Sequence, residues 1–204
     1  ILSPEFLAEV QGMKHKNLAA ALLARLLQDQ VRAREQRNVV QGKRFSEMLE
    51  AALRRYRART ITNLEVMEEL VSLAHTMRES DARGEKLRLS REESAFFDAL
   101  AENESAVDAL KDEGLALIAR KLGDTVRTKA TLDWNHKKSV QAKLRIALKK
   151  ILAQHGYPPD LQEAAIKLVL EQAEQLKMNM VEGGSEAASV PNDDVLEPAG
   201  AREE

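Results

Sequence analysis

The chain has 204 residues, 31 Lys/Arg against 33 Asp/Glu for a formal net charge of -2, no Cys, and only one Trp, two Tyr and four Phe. This composition excludes disulfides and thiolate metal sites, fits a reducing, cytoplasmic compartment, and calls for an aliphatic core of Leu and Ala, which favour helices. The longest apolar run, residues 18–24, falls far short of the roughly 20 residues that cross a bilayer, so no membrane partner is expected.

Helix signals follow in chain order. The chain opens at Ile1 with no Met and no leader, so it reads as a piece of something longer. Ser3 before Pro4 is an N-cap ahead of a first-turn proline. Thr62-Asn63-Leu64-Glu65 and Ser90-Arg91-Glu92-Glu93 have the capping-box form, in which hydroxyl and carboxylate satisfy each other's orphan amides. Asp160-Leu161-Gln162-Glu163 repeats the pattern with an Asp cap. Apolar residues recur at helical spacing in between, as in Leu18, Leu22, Leu26, in Leu64, Met67, Val71, Ala74, and in Leu161, Ala165, Leu168, Ala173, Leu176. The spacing predicts helices near residues 17–39, 44–58, 62–79, 90–100, 112–128, 135–155 and 159–178, with breaks at Gly42, at 81–84, around Asn103, at Gly114 and at 156–159. The expected fold is all-α, an irregular bundle of about seven helices over residues 1–181, with a subdomain break near 81–88. Residues 182–204 contain seven acids, one Arg, three Gly and two Pro, and are expected to form a disordered acidic tail. Without it the body holds 30 Lys/Arg and 26 Asp/Glu, a balance of +4 against -6 in the tail.

Residue chemistry points to no catalytic site. His15, His75, His136 and His155 form no i, i+4 pair of the kind that holds a metal on a helix, so no metal ligands are assigned. No glycine-rich phosphate cradle of either common form is present. Glu68-Glu69 sits mid-helix and Glu92-Glu93 in a first turn, where solvation and the helix dipole account for them. No Asp-x-Lys or Glu-x-Lys pair occurs, which argues against nuclease chemistry in this stretch.

The densest positive charge runs from residue 127 to 150, where Arg127, Lys129, Lys137, Lys138, Lys143, Arg145, Lys149 and Lys150 face a single acid, Asp133. On a helical wheel Val140, Leu144, Ala147, Leu148 and Ile151 form a core sector, and Lys138, Arg145 and Lys149 lie nearly opposite. Arg127, Lys137, Lys138, Arg145 and Lys149 are therefore candidates to meet DNA phosphates or an acidic protein, with an ordinary solvated face as the alternative. Trp134, just before this helix, reads as a hydrophobic anchor and interface candidate. Arg54, Arg55, Arg57 and Arg59 surround Tyr56 at a helix end, where the dipole already favours cations. Tyr56 and Arg55 are added as interface candidates because both residue types concentrate at interface centres.

Ordered motifs then suggest a family. They are Leu2-Ser3-Pro4-Glu5-Phe6-Leu7, Lys16-Asn17-Leu18-Ala19, residues 34–38, Phe45 with Leu49, Tyr56, residues 62–74, residues 89–100, Asp133-Trp134, residues 140–145, and Gly156-Tyr157-Pro158-Pro159-Asp160. Over residues 1–178 this resembles the C-terminal helical region of the restriction (HsdR) subunit of type I restriction-modification enzymes. The resemblance implies a chain that is not itself an enzyme, because that family's ATP-driven motor and nuclease lie upstream, and with them ATP and Mg. It implies a helical appendage that docks the motor onto methyltransferase and specificity subunits and also touches double-stranded DNA. A free-standing helical DNA-binding or protein-interaction module is the alternative.

Overall fold

The computed structural model describes residues 2–129 and 138–186. These form eight α-helices and no strand: α1 Pro4–Gly12, α2 Lys16–Glu35, α3 Val39–Arg57, α4 Asn63–Lys86, α5 Arg91–Ala101, α6 Glu104–Lys129, α7 Lys138–Gln154 and α8 Gln162–Glu186. The all-α expectation holds. Both capping boxes form: Thr62 Oγ1 accepts from the Glu65 amide at 3.2 Å while Glu65 accepts from the Thr62 amide at 2.6 Å, and Ser90 and Glu93 exchange bonds of 3.2 and 2.7 Å. Ser3 caps α1, a helix that its start signal marked but the predicted ranges omitted.

Three helices end in the same six-residue motif. After α7, the Tyr157 amide donates to the Leu152 carbonyl at 3.0 Å and the Gly156 amide to Ala153 at 3.2 Å, with Gly156 at φ +72°. Such a left-handed turn satisfies two orphan carbonyls and suits glycine. At the ends of α3 and α4 the same position is held by Arg59 (φ +57°) and Arg88 (φ +51°). The turn after α7 seats Tyr157, only 1% exposed, with its hydroxyl donating to the Leu100 carbonyl at 2.9 Å. Burial pushes the Tyr157 phenol above its ordinary pKa.

The breaks expected around Asn103 and at 156–159 are present, and the other three are not. Gly42, Gly84 and Gly114 all lie inside helices. The kink in α6 is at Lys111, with φ +55° and ψ 177°, a region that nearly only glycine visits and that costs about 1–3 kcal/mol otherwise. Lys111→Gly is expected to raise the unfolding free energy by about 1 kcal/mol, read from urea denaturation. Asp160 does not cap α8 either. It lies within a 3-10 turn, Pro159–Leu161, closed by the Leu161 amide on the Pro158 carbonyl, because consecutive prolines pre-set that turn. Helix α8 continues to Glu186, five residues past the expected end of the helical body at 181, and residues 187–204 lie outside the described residues.

Buried side chains form two clusters. One, from Leu7 to Met77, joins α1, α2, α3 and α4; the other, from Phe96 to Ala173, joins α5, α6, α7 and α8. Helix α3 ties them, with Phe45 and Leu49 in the first cluster and Val40 against the second. The seam between them is polar. Gln172 of α8, fully buried, accepts from the Val39 amide and donates to the Arg37 carbonyl, both at 2.8 Å. Asn38 caps α3 through Gln41 and donates to Asp98 of α5 at 2.7 Å, and Gln41 donates to the same carboxylate oxygen at 2.7 Å.

Burial pushes the Asp98 carboxyl up from 3.8 to about 6, against the opposing hydrogen bonds from Asn38 and Gln41 and the charges of Arg83 and Arg44. A carboxyl that holds its proton more tightly when folded stabilises below its unfolded pKa, and that stability is lost as pH rises through about 6. Full linkage would be about 3 kcal/mol, and the carboxylate's partial exposure brings the expectation to about 1–2 kcal/mol. Unfolding titrations of the wild type and Asp98→Asn at pH 4 and 7 are expected to show that much extra loss in the wild type, since Asn keeps the acceptor and cannot titrate.

Candidate binding surface

Helix α7 carries the predicted basic stripe, and its packing decides which cations face outward. Its fully buried residues are Leu144, Leu148 and Leu152, with Val140 and Ile151 only partly covered. The core face is thus centred nearer Leu148 and Leu152 than the sequence sector implied, a rotation of roughly 50° at 100° per residue. The partial cover of Val140, Ala147 and Ile151 accounts for most of the difference, and Leu152, absent from that sector, for the rest. The rotation moves Lys138, Arg145 and Lys149 from the outer face to the flank that meets α8.

There the stripe finds an internal partner. Glu163 of α8 accepts from Arg145 at 2.8 Å and from Lys149 at 3.2 Å, and the two hydrogen bonds hold its carboxyl below its ordinary pKa. All three are exposed, so the clamp is worth little in stability, but it neutralises part of the stripe. Lys138 lies at the other end of the same groove, which Lys167, Glu171 and Glu174 also line, so the groove carries mixed charge.

The other predicted residues scatter. Arg127, at the end of α6, reaches Glu92 at 3.4 Å and Asp124 at 3.5 Å. Arg55 pairs with Glu69 at 2.7 Å, and the Tyr56 hydroxyl donates to Asn63 at 2.7 Å, so both stitch α3 to α4. Lys137 and Trp134 lie outside the described residues. The candidates therefore do not converge on one site: Lys138, Arg145 and Lys149 share one flank, and Tyr56 and Arg55 belong to the other cluster.

Sequence reasoning missed the face that does point outward. Between α6 and α7 runs a groove with a floor of Val140, Leu144, Ala147 and Ile151, rimmed by Lys129, Lys143 and Lys150, with Ile146 at its edge. Ile146 is 69% exposed. Among the described residues, none of the three lysines makes an ion pair and no acid lines the groove. The signal was present: Lys143, Ile146 and Lys150 follow i, i+3, i+7 spacing, which places an isoleucine among lysines on one face. No group of three or more potential metal ligands is found among the described residues.

Comparison with known proteins gives a consistent family match. A family model described as type I restriction enzyme HindI endonuclease subunit-like, C-terminal, matches residues 1–179. The chain is 36% identical over 176 residues to the type I restriction enzyme HindI endonuclease subunit of Haemophilus influenzae, covering 86% of the chain and 17% of that protein. It is also 36% identical over 159 residues to the putative type I restriction enzyme MjaIXP endonuclease subunit of Methanocaldococcus jannaschii, covering 76% of the chain and 15% of that protein. The chain thus spans about a sixth of the length of these relatives. No solved structure matches it.

Proposed function

The chain belongs to the family of C-terminal regions like that of the type I restriction enzyme HindI endonuclease subunit, and we propose that it serves there as a non-catalytic assembly domain. On this reading it docks an ATP-dependent restriction motor onto the methyltransferase and specificity subunits. ATP, Mg and the cutting chemistry then belong to the remaining five-sixths of such a subunit. The observation that carries the reading is the outer face of α7, where Lys143, Ile146 and Lys150 stand exposed on a helix whose inner face is fixed in the core. Exposed cations beside exposed aliphatic surface suit a protein partner better than a duplex, which offers phosphates but little apolar surface.

Charge reversal tests it, and the packing dictates which residues to reverse. Arg145→Glu or Lys149→Glu would set like charges against Glu163 and disturb α7–α8 packing. Lys143→Glu with Lys150→Glu leaves those ion pairs intact. In the full-length restriction subunit this double variant is expected to weaken binding to the methyltransferase–specificity complex by about 10-fold or more with an unchanged melting temperature, since rim charges steer and strengthen association. Undiminished complex formation, read by analytical ultracentrifugation, would remove the face from the docking role. If affinity for DNA alone falls instead, with a reduced salt slope, the face meets phosphates.

A further inference from the structure

Where α5 meets α2, α3 and α4 lies a cleft of about 460 Å³ lined by residues of all four helices. Its wall includes Arg34, whose Nε is the one buried side-chain donor without a partner among the described residues. The rest of that guanidinium is engaged. Nη1 donates to Gln30 Oε1 at 3.1 Å and Nη2 to a single oxygen of Asp81 at 2.5 Å, and the side chain is only 15% exposed. A buried charged donor without an acceptor is costly, so this one calls for an acceptor that the described residues do not supply.

Two hydroxyls line the same cleft. Gln41 donates to Ser80 Oγ at 2.6 Å, which uses the oxygen as acceptor and leaves its proton to donate. Ser94 Oγ lies 2.8 Å from where a Cβ on Gly84 would stand, so glycine at 84 keeps this hydroxyl uncrowded. Arg37 and Arg91 add exposed guanidinium groups at the rim. Carboxylates are present as well: Asp81 and Glu85 line the cleft, and Asp98 stands behind Gln41 within reach of the charges of Arg44 and Arg83. Among the described residues five arginines thus face three acids, a field that favours an anion without being strong. Arg34, Ser80 and Ser94 belong to three different helices, α2, α4 and α5. Donors offered from three elements suit the tetrahedral oxygens of a phosphate, whereas a planar carboxylate presents only two oxygens.

We propose that this cleft binds one phosphate group, free or carried as a phosphomonoester, with Arg34 Nε and the Ser80 and Ser94 hydroxyls on its oxygens and Arg37 and Arg91 closing over it. The bound group bridges α2 and α4 to α5 across the junction of the two clusters, so it ties their association to the supply of ligand. The site lies apart from the outer face of α7 and does not depend on the assembly reading.

The experiment uses the whole chain and inorganic phosphate, balanced by chloride at constant ionic strength. The Arg34 Nε–H signal, identified by its loss in Arg34→Lys, is expected to shift and saturate in the millimolar range. Arg37→Ala combined with Arg91→Ala should weaken binding about 5-fold or more and leave the unliganded melting temperature in place, since both side chains are exposed. Ser94→Ala should weaken it about 3-fold or more, and Glu85→Gln should tighten it about 2-fold by removing a like charge. Tighter binding of O-phosphoserine than of phosphate identifies a group carried on a protein, and the reverse order identifies the free ion. An Arg34 signal that does not move up to about 20 mM phosphate overturns the proposal, because Asp81 then serves both positions of the fork. So does a response that acetate reproduces at equal concentration, or one that none of the Arg37, Arg91, Ser94 and Glu85 variants alters.

Discussion

Replacing Gln172 by Ala is expected to cost about 3–5 kcal/mol of unfolding free energy, more than most single substitutions in a domain of this size. Gln172 is fully buried and holds both the Val39 amide and the Arg37 carbonyl at 2.8 Å. The variant leaves a part-buried backbone donor and acceptor without their side-chain partner, at up to about 1–3 kcal/mol each, and opens a cavity between the clusters. Gln172→Glu separates the two contributions. It keeps the volume and the acceptor for Val39 but faces the Arg37 carbonyl with a second oxygen, so at pH 7 it should be destabilised and in acid, where the carboxyl can donate, recover in part. Equilibrium unfolding in urea at both pH values checks this. If Gln172→Ala matched the wild type within about 1 kcal/mol, the seam would not hold the two clusters together.

Gly42→Ala is expected to destabilise by about 2 kcal/mol, although Ala is normally about 1 kcal/mol better than Gly inside a helix. A Cβ at Gly42 would sit 2.5 Å from the Glu35 Cα and 3.0 Å from its amide nitrogen. The obstacle is backbone, which cannot rotate aside, so α3 must move away from α2 and carry Phe45 and Leu49 with it. Gly123→Ala provides the opposite case. Its Cβ would meet the Glu93 Cγ at 3.5 Å, an ordinary contact, and the gain in helix propensity should stabilise by a few tenths of a kcal/mol to about 1 kcal/mol. Thermal denaturation of both variants in parallel should show midpoints shifting in opposite directions. Two downward shifts would mean that α6 resists substitution for another reason.

These glycines also show what could be read from the sequence. Much of the local punctuation was legible: both capping boxes formed at Thr62 and Ser90, Gly156-Tyr157 ended α7, and the helical class followed from apolar spacing, while the cap expected at Asp160 gave way to a proline-set turn. A glycine needed for its missing side chain looks the same as one needed for its backbone freedom. Gly42 was therefore expected as a break when it is a point of close approach between two helices. Conversely, left-handed turns at Arg59, Arg88 and Lys111 carry no glycine to announce them. On α7 five apolar positions fixed a sector, but only packing against α6 and α8 decided that Leu152 is buried and Ile146 is not, and so turned the basic stripe toward Glu163. The seam was out of reach altogether, because Asn38 and Asp98 are separated by 60 positions and Val39 and Gln172 by 133.

That separation sets an order of events during synthesis. The first cluster is complete once Met77 has left the ribosome, whereas the second needs residues up to Ala173. At about 5–20 residues per second the interval is roughly 5–20 s, far longer than the folding of a small helical unit. For that time the turn after α2 presents the Arg37 carbonyl and Val39 amide to water, and only the arrival of α8 withdraws them. Helix α8, the last of the described helices in chain order, thus closes the seam only after the first cluster can form, and nascent chains stalled before Gln172 are expected to be open to proteolysis at that turn.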